Sequence, residues 1–206
     1  ADQTQDAIRR ANLDGTDVET LVVIDAGPNG ASSQLQDVAL DLTVDKMYWT
    51  DVATRKIQRS NLDGSEVEDV LTSGLNEVRA IALDPVGGHI YWADFNLGIA
   101  RANLDGSGVV PLVEDHRIVG IDLDVPGGKM YWTKYPLFAQ PGTGKIRRAN
   151  LDGTEIEDVT PNGSEFLWHI TVVPDPIDLC DYAIFIECVT GPGVSHDGKD
   201  CAVVDF

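Results

Sequence analysis

Cysteine is almost missing from this chain. Among 206 residues there are three, Cys180, Cys188 and Cys201, and all fall in the last 27 positions. The 179 residues before them hold neither a disulfide nor a thiolate metal site, so packing alone must keep that part folded. Cations are also scarce, with 15 Lys and Arg against 34 Asp and Glu and a formal net charge of -19. Such a surface repels phosphate backbones and anionic lipid headgroups, which excludes nucleic acid as a natural partner. No apolar run approaches the roughly 20 residues that cross a bilayer, so no membrane insertion is expected. No basic stretch followed by an apolar one opens the chain, and a secreted form is expected to have shed its leader. Gly-x-Ser-x-Gly, His-Glu-x-x-His, a phosphate loop and Gly-x-Gly-x-x-Gly are absent, so the usual hydrolase, metalloprotease and nucleotide signatures are missing. There is no EF-hand string either, which leaves calcium only a site assembled by the fold. No metal site and no cofactor is expected from the sequence.

What the chain does have is repetition. Tyr48-Trp49-Thr50-Asp51, Tyr91-Trp92-Ala93-Asp94 and Tyr131-Trp132-Thr133-Lys134 stand 43 and then 40 residues apart. A second tetrapeptide, Asn-Leu-Asp-Gly, occurs at 12–15, 61–64, 103–106 and 150–153. Periods of about 40 to 45 residues mark stacked supersecondary units, since one unit alone cannot bury its apolar face.

Each unit reads as strands. From Asn76 to Glu114 short alternating runs (EVRAIALD, HIYWAD, GIARANL, VVPLVE) are separated by Pro, Gly, Asp and Asn. This is the pattern of half-buried antiparallel strands joined by tight turns, four to a repeat. Asp-Gly offers the positive backbone angles that a hairpin needs, so Asp105-Gly106 and its equivalents are predicted turns between the third and fourth strands.

With both tetrapeptides in order, and with LD-P-x-G-G and I-x-R-A-N-L between them, residues 7–175 resemble the YWTD β-propellers of the low-density lipoprotein receptor class B repeat family. The resemblance implies an all-β propeller of four-stranded antiparallel blades in a secreted, extracellular protein. It implies too that Tyr48, Trp49, Tyr91, Trp92, Tyr131 and Trp132 are core residues packed between blades, and that the Thr and Asp of the motif make structural hydrogen bonds. The receptors of that family have six blades, whereas this chain holds three full repeats. Its first residues supply only a third and a fourth strand, and its last a first strand near 168–175. The spacing from Asp175 to Tyr182 repeats those from Asp41 to Tyr48, Asp84 to Tyr91 and Asp124 to Tyr131. Tyr182-Ala183-Ile184-Phe185 is therefore predicted to be a degenerate second strand. The expectation is a four-bladed monomer over 1–186, its last blade closed by both termini, which removes exposed strand edges. A tail over 187–206 would follow, pinned by a Cys188–Cys201 disulfide with Cys180 left over.

Turns within a blade alternate between its two ends. The end carrying the Gly-Gly and Asp-Gly turns is uniform, and the irregular loops at 25–34, 51–56, 94–98, 115–117, 134–145 and 161–165 all share the other. Variation on one face of a repeat scaffold is where binding function sits. The expected contact residues are Phe95, Leu97, Asp94, Asp115, Tyr135, Leu137, Phe138 and Trp168, an acidic and aromatic mixture suited to a protein or basic peptide. A polyamine or calcium is the smaller alternative. An enzymatic alternative uses His116, Asp115 and His169 at the mouth of the central channel as acid/base groups, in the manner of a lactonase, hydrolase or cyclase.

Overall fold

The computed structural model describes residues 7–24, 34–135, 144–160, 169–174 and 182–185, and every described element is a strand. A leading pair, β1 (Ala7–Arg10) and β2 (Glu19–Val23), precedes three complete blades. Blade one is β3 (Leu35–Asp41), β4 (Lys46–Asp51), β5 (Lys56–Asn61) and β6 (Glu68–Leu71). Blade two is β7 (Val78–Asp84), β8 (His89–Asp94), β9 (Gly98–Asn103) and β10 (Val110–Val113). Blade three is β11 (Ile118–Asp124), β12 (Lys129–Lys134), β13 (Lys145–Asn150) and β14 (Glu157–Asp158). A trailing pair follows, β15 (Thr171–Pro174) and β16 (Tyr182–Phe185). Within each blade the strands pair antiparallel in chain order. The all-β propeller expected from the repeats is what the chain forms.

Tyr and Trp do separate jobs because neighbouring residues on a strand point to opposite faces. Trp92 packs with Tyr48, Ile57 and Leu71 of blade one, while Tyr91 packs with Ile121 and Trp132 of blade three. Trp49 faces Val22 of the leading pair, and Tyr131 meets Ile170 ahead of the trailing pair. Each motif thus fills two interfaces, one with each neighbouring sheet. Both faces of the second strand are covered, so its alternation of apolar and polar residues does not mean half burial. Asp51 and Asp94 on β4 and β8 are as buried as the rings. The outer strands β6, β10 and β14 are largely exposed. Cutting one of the rings back to Ala would cost about 3–5 kcal/mol.

The two tetrapeptides meet across these interfaces. The Tyr48 hydroxyl donates to the Leu104 carbonyl of the next blade's Asn-Leu-Asp-Gly turn at 3.4 Å, and Arg59 donates to the same oxygen at 3.0 Å. Tyr91 reaches the Leu151 carbonyl in the same way. Thr50 and Thr133 differ from the expectation drawn from the family. Both are fully buried, yet their hydroxyls have no hydrogen-bond partner among the described residues. Ala93 at the same position is equally buried, so it is the methyl group that packs there.

Within the tetrapeptide only the glycine takes positive φ, 83° at Gly64 and Gly106 and 85° at Gly153, and a second left-handed residue follows two positions on, at Glu66, Gly108 and Glu155. The Asp contributes through its side chain: Asp63 accepts the Ser65 amide at 2.9 Å and the Ser65 hydroxyl at 2.6 Å, an Asx-turn. The glycine has a second duty. A Cβ on Gly64, Gly106 or Gly153 would stand 2.1, 2.1 or 2.5 Å from the carbonyl oxygen of Leu21, Val70 or Leu112, in the outer strand of the preceding sheet. Gly15, in the leading pair, meets nothing within 4 Å.

The closure expected from the termini is not seen as one sheet. Among the described residues β1–β2 and β15–β16 are two separate two-stranded sheets, the first packed on blade one and the second against blade three. Val38 on β3 is 48% exposed, whereas Ile81 and Ile121 at the same position are 4% and 2% exposed. The reason is that the leading pair covers only the outer part of blade one. The cysteines and the tail lie outside the described residues.

Two glycine substitutions separate backbone strain from contact. Gly15→Ala should cost about 1 kcal/mol through its left-handed backbone alone. Gly106→Ala should cost at least about 2 kcal/mol, because it also drives the turn off Val70. Urea unfolding of the two variants measures the difference, and equal costs would mean that the turn does not hold the blades together.

Candidate functional site

Among the described residues the loops at 51–56, 94–98 and 115–117 share one end of the blades, and backbone hydrogen bonds tie those of blades two and three together. The Phe95 amide donates to the Glu77 carbonyl at 2.9 Å, the Arg117 amide to the Phe95 carbonyl at 2.6 Å, and the Tyr135 amide to the Arg117 carbonyl at 2.7 Å. The His116 imidazole donates from Nδ1 to the Asn96 carbonyl at 2.8 Å. Loops of blades two and three therefore form one stitched surface.

Three of the expected apolar contacts are among the described residues. Leu97 is 53% exposed. Phe95 is half-buried beneath the Arg79 guanidinium, which lies 5.1 Å from the ring centre and pairs with Glu77. Tyr135 is half-buried at the start of the longest loop. Leu137, Phe138 and Trp168 lie outside the described residues.

The acidic part is turned inward. Asp94 is 1% exposed, and its two oxygens accept the amides of Asn76 (2.7 Å), Glu77 (3.0 Å), Asn96 (3.0 Å) and Leu97 (3.1 Å). Asp51 does the same for Gln34, Ala53 and Thr54. These carboxylates fasten the loop between blades to the loop after the second strand. In blade three the charges are exchanged: Lys134 occupies the Asp position, and the carboxylate has moved to Asp115 in the preceding loop. Asp115 accepts from Lys134, from Arg147 at 3.0 Å, from the Trp132 indole at 3.3 Å and from the His116 amide at 2.9 Å. Burial pushes its carboxyl upward, but the Lys134 ammonium and the Arg147 guanidinium outweigh that and hold it below the ordinary carboxylate range.

The residues of the enzymatic alternative do not form one constellation. His169 lines a cavity of about 220 Å³ where the first strands converge, together with Asp37 of β3 and Asp122 of β11. Asp115 and His116 do not line it; they are held in the loop surface. Asp37 and Asp122 were not legible as a pair, since 85 positions separate them and nothing in the repeat marks either. Burial is the main cause raising both carboxyls, against the amides of Ile81 and Val172 and the His169 imidazole. The negative charge of Asp122 raises Asp37 further. Among the described residues no group of three His, Cys, Asp or Glu is placed to hold a metal ion.

Stacked four-stranded blades with Tyr-Trp wedges in their interfaces define a β-propeller. Residues 45–85 match the low-density lipoprotein receptor repeat class B. The chain is 31% identical over 173 residues to a human low-density lipoprotein receptor-related protein 5-like protein, a match covering 82% of this chain and 64% of that one. It is 32% identical over 190 residues to low-density lipoprotein receptor-related protein 1 of Pyricularia oryzae, covering 81% and 57%. The chain thus spans less than two thirds of the length of either relative. In solved structures, a chain of the nidogen/laminin complex superposes with a TM-score of 0.71 at 24% identity, over 83% of this chain and 61% of that one. TolB from Acinetobacter baumannii superposes at 0.64 with 17% identity, over 97% and 45%. At those identities the likeness speaks for the fold alone. The chain carries a low-density lipoprotein receptor class B (YWTD) repeat and is similar over most of its length to receptor-related proteins.

Raised carboxyls fix a sign for the pH dependence of stability. A carboxyl whose folded pKa lies above its unfolded value weakens the fold as pH rises through that range, because the buried group must ionise. Asp37→Asn keeps an acceptor for the Ile81 amide and removes the charge. It should therefore gain stability relative to the native chain between about pH 3 and about pH 7. Denaturation midpoints at the two pH values measure this, and an advantage that is the same at both would show that Asp37 carries no burial cost.

Proposed function

We propose that this chain is an extracellular protein-interaction domain that presents its loop-rich face to a partner. The observation that carries the reading is Leu97, 53% exposed beside Phe95 on a surface already stiffened by backbone hydrogen bonds. An exposed apolar group on a preorganised face loses little entropy on binding. The relatives support a protein partner, being receptor-related proteins, and the nidogen chain is found in a complex with laminin. No helix among the described residues is long and apolar enough to cross a membrane. The net charge of -19 supports a partner that is basic overall, drawn in by the long-range field, with a polyamine or calcium as the smaller alternative. The loop carboxylates expected to meet such a partner are used within the fold, so the field and not Asp51, Asp94 or Asp115 supplies the attraction. A catalytic reading retains His169 between Asp37 and Asp122, without the Asp115 and His116 it was expected to work with.

Calorimetric titration with Lys- and Arg-rich peptides tests the assignment of the face. Leu97→Ser should weaken binding by more than about 1 kcal/mol without lowering the melting temperature. Leu42→Ser, at a still more exposed position in the turn between β3 and β4, should leave binding unchanged. Loss of binding in the second variant and not the first would move the site to the opposite end of the blades.

A further inference from the structure

Four cations meet in one hollow of this acidic chain. Arg117, Lys134, Lys145 and Arg147, with Asp158 as the only carboxylate among the lining residues, surround a cavity of about 350 Å³ on the loop-rich side of blade three. Asp115 lies against it and accepts from Lys134 and Arg147. Asp158 accepts from Lys145 and Arg147. Two carboxylates thus face four cations, and the Arg117 guanidinium has no ion-pair or hydrogen-bond partner among the described residues.

Strand register shows that this is peculiar to one blade. Lys134 pairs with Lys145, where blade one pairs Asp51 with Lys56 and blade two pairs Asp94 with Gly98. Arg147 stands opposite Trp132, where Gln58 and Ala100 stand opposite the equivalent rings. Arg117 precedes the first strand, where Gln34 and Glu77 do so in the other two. Blade two thus has Glu, Asp, Gly and Ala at the four positions where blade three has Arg, Lys, Lys and Arg. Blade one keeps one of the four cations, Lys56 at the Lys145 position and paired with Asp69 as Lys145 is with Asp158, so duties shared by the blades account for that lysine but not for Arg117, Lys134 and Arg147. Arg117 is in addition held at φ 64°, which neither Gln34 nor Glu77 adopts.

We propose that this hollow binds an acidic side chain, an Asp or Glu carboxylate presented by a peptide segment of the partner, with the Arg117 guanidinium as its bidentate ligand and Lys134 and Lys145 as flanking charges. A planar carboxylate matches the fork of a guanidinium. A polyanion such as a sulfated polysaccharide is disfavoured, because the -19 surface around the hollow repels every charge beyond the first. The proposal rests on the protein-binding reading only for the source of the carboxylate: the partner would be basic overall and carry one acid opposite blade three.

The test uses the full chain and a blocked Gly/Ser peptide bearing a single Glu, followed through the indole N–H resonance of Trp132, whose donor bond to Asp115 adjoins the hollow. The expected result is a saturable shift of Trp132 with no shift of Trp49. Arg117→Asn, which suits the left-handed backbone and removes the charge, should weaken the peptide about tenfold or more at unchanged melting temperature. Arg117→Lys should recover only part of that. No saturable shift at tens of millimolar peptide, or equal binding by Arg117→Asn, overturns the site. Inorganic sulfate or a heparin fragment shifting Trp132 at lower concentration than the peptide at matched ionic strength overturns the carboxylate assignment. Basic-peptide binding that depends on Leu97 is measured separately, so either reading can fail while the other stands.

Discussion

The opposed placement of Tyr and Trp on each second strand is the constraint on which everything else in this chain rests. Because the two rings leave the backbone in opposite directions, every complete blade is anchored to both neighbours by a single dipeptide. The burial of Asp51 and Asp94 follows from this. A strand covered on both faces and flanked by neighbours on both sides has no solvent left for its terminal carboxylate, which then takes up the loop amides around it. Those amides position the loop-rich face. The packing core and the loop-rich face are therefore joined through one side chain per blade.

Blade three keeps that link with its charges exchanged. Lys134 stands where the other blades have Asp, and Asp115 supplies the carboxylate from across the loop. A single ion pair could have replaced the amide-bound Asp without further change. Instead Arg117, Lys145 and Arg147 are cationic as well, and the local field has the opposite sign to that of the whole chain. A partner guided by the overall field would meet a reversed potential at one spot, which fixes orientation better than a uniform charge does.

Much of the architecture was legible in the sequence, and the reason is physical. A repeat of about 40 residues with alternating runs and Asp-Gly turns leaves few alternatives to stacked four-stranded sheets, and large rings at a constant position must be interior. The direction of individual charges was not legible. Asp51, Asp94 and Asp115 look like surface acids because they sit beside loops, and only the three-dimensional crowding around the second strand turns them inward. The glycine of the Asn-Leu-Asp-Gly turn was read for its backbone angle. Its contact with the preceding sheet carries no local signal, since the touching carbonyl lies some 36 to 43 residues earlier. The Arg117 cluster was half visible. Lys134 stood out as a departure from the motif, but its companions emerge only when the strands are laid side by side in register.

The contact between blades has a polarity. One side of a sheet offers a tyrosine hydroxyl and the outer strand that receives a glycine; the other side offers the turn that supplies both the accepting carbonyl and that glycine. Two identical sides cannot be joined by this contact, so a twofold-symmetric pairing of blade faces is excluded by its chemistry. Only head-to-tail addition satisfies it. An array built this way has two unlike, mutually complementary ends, and it is completed either by bending until they meet or by adding further units of the same hand.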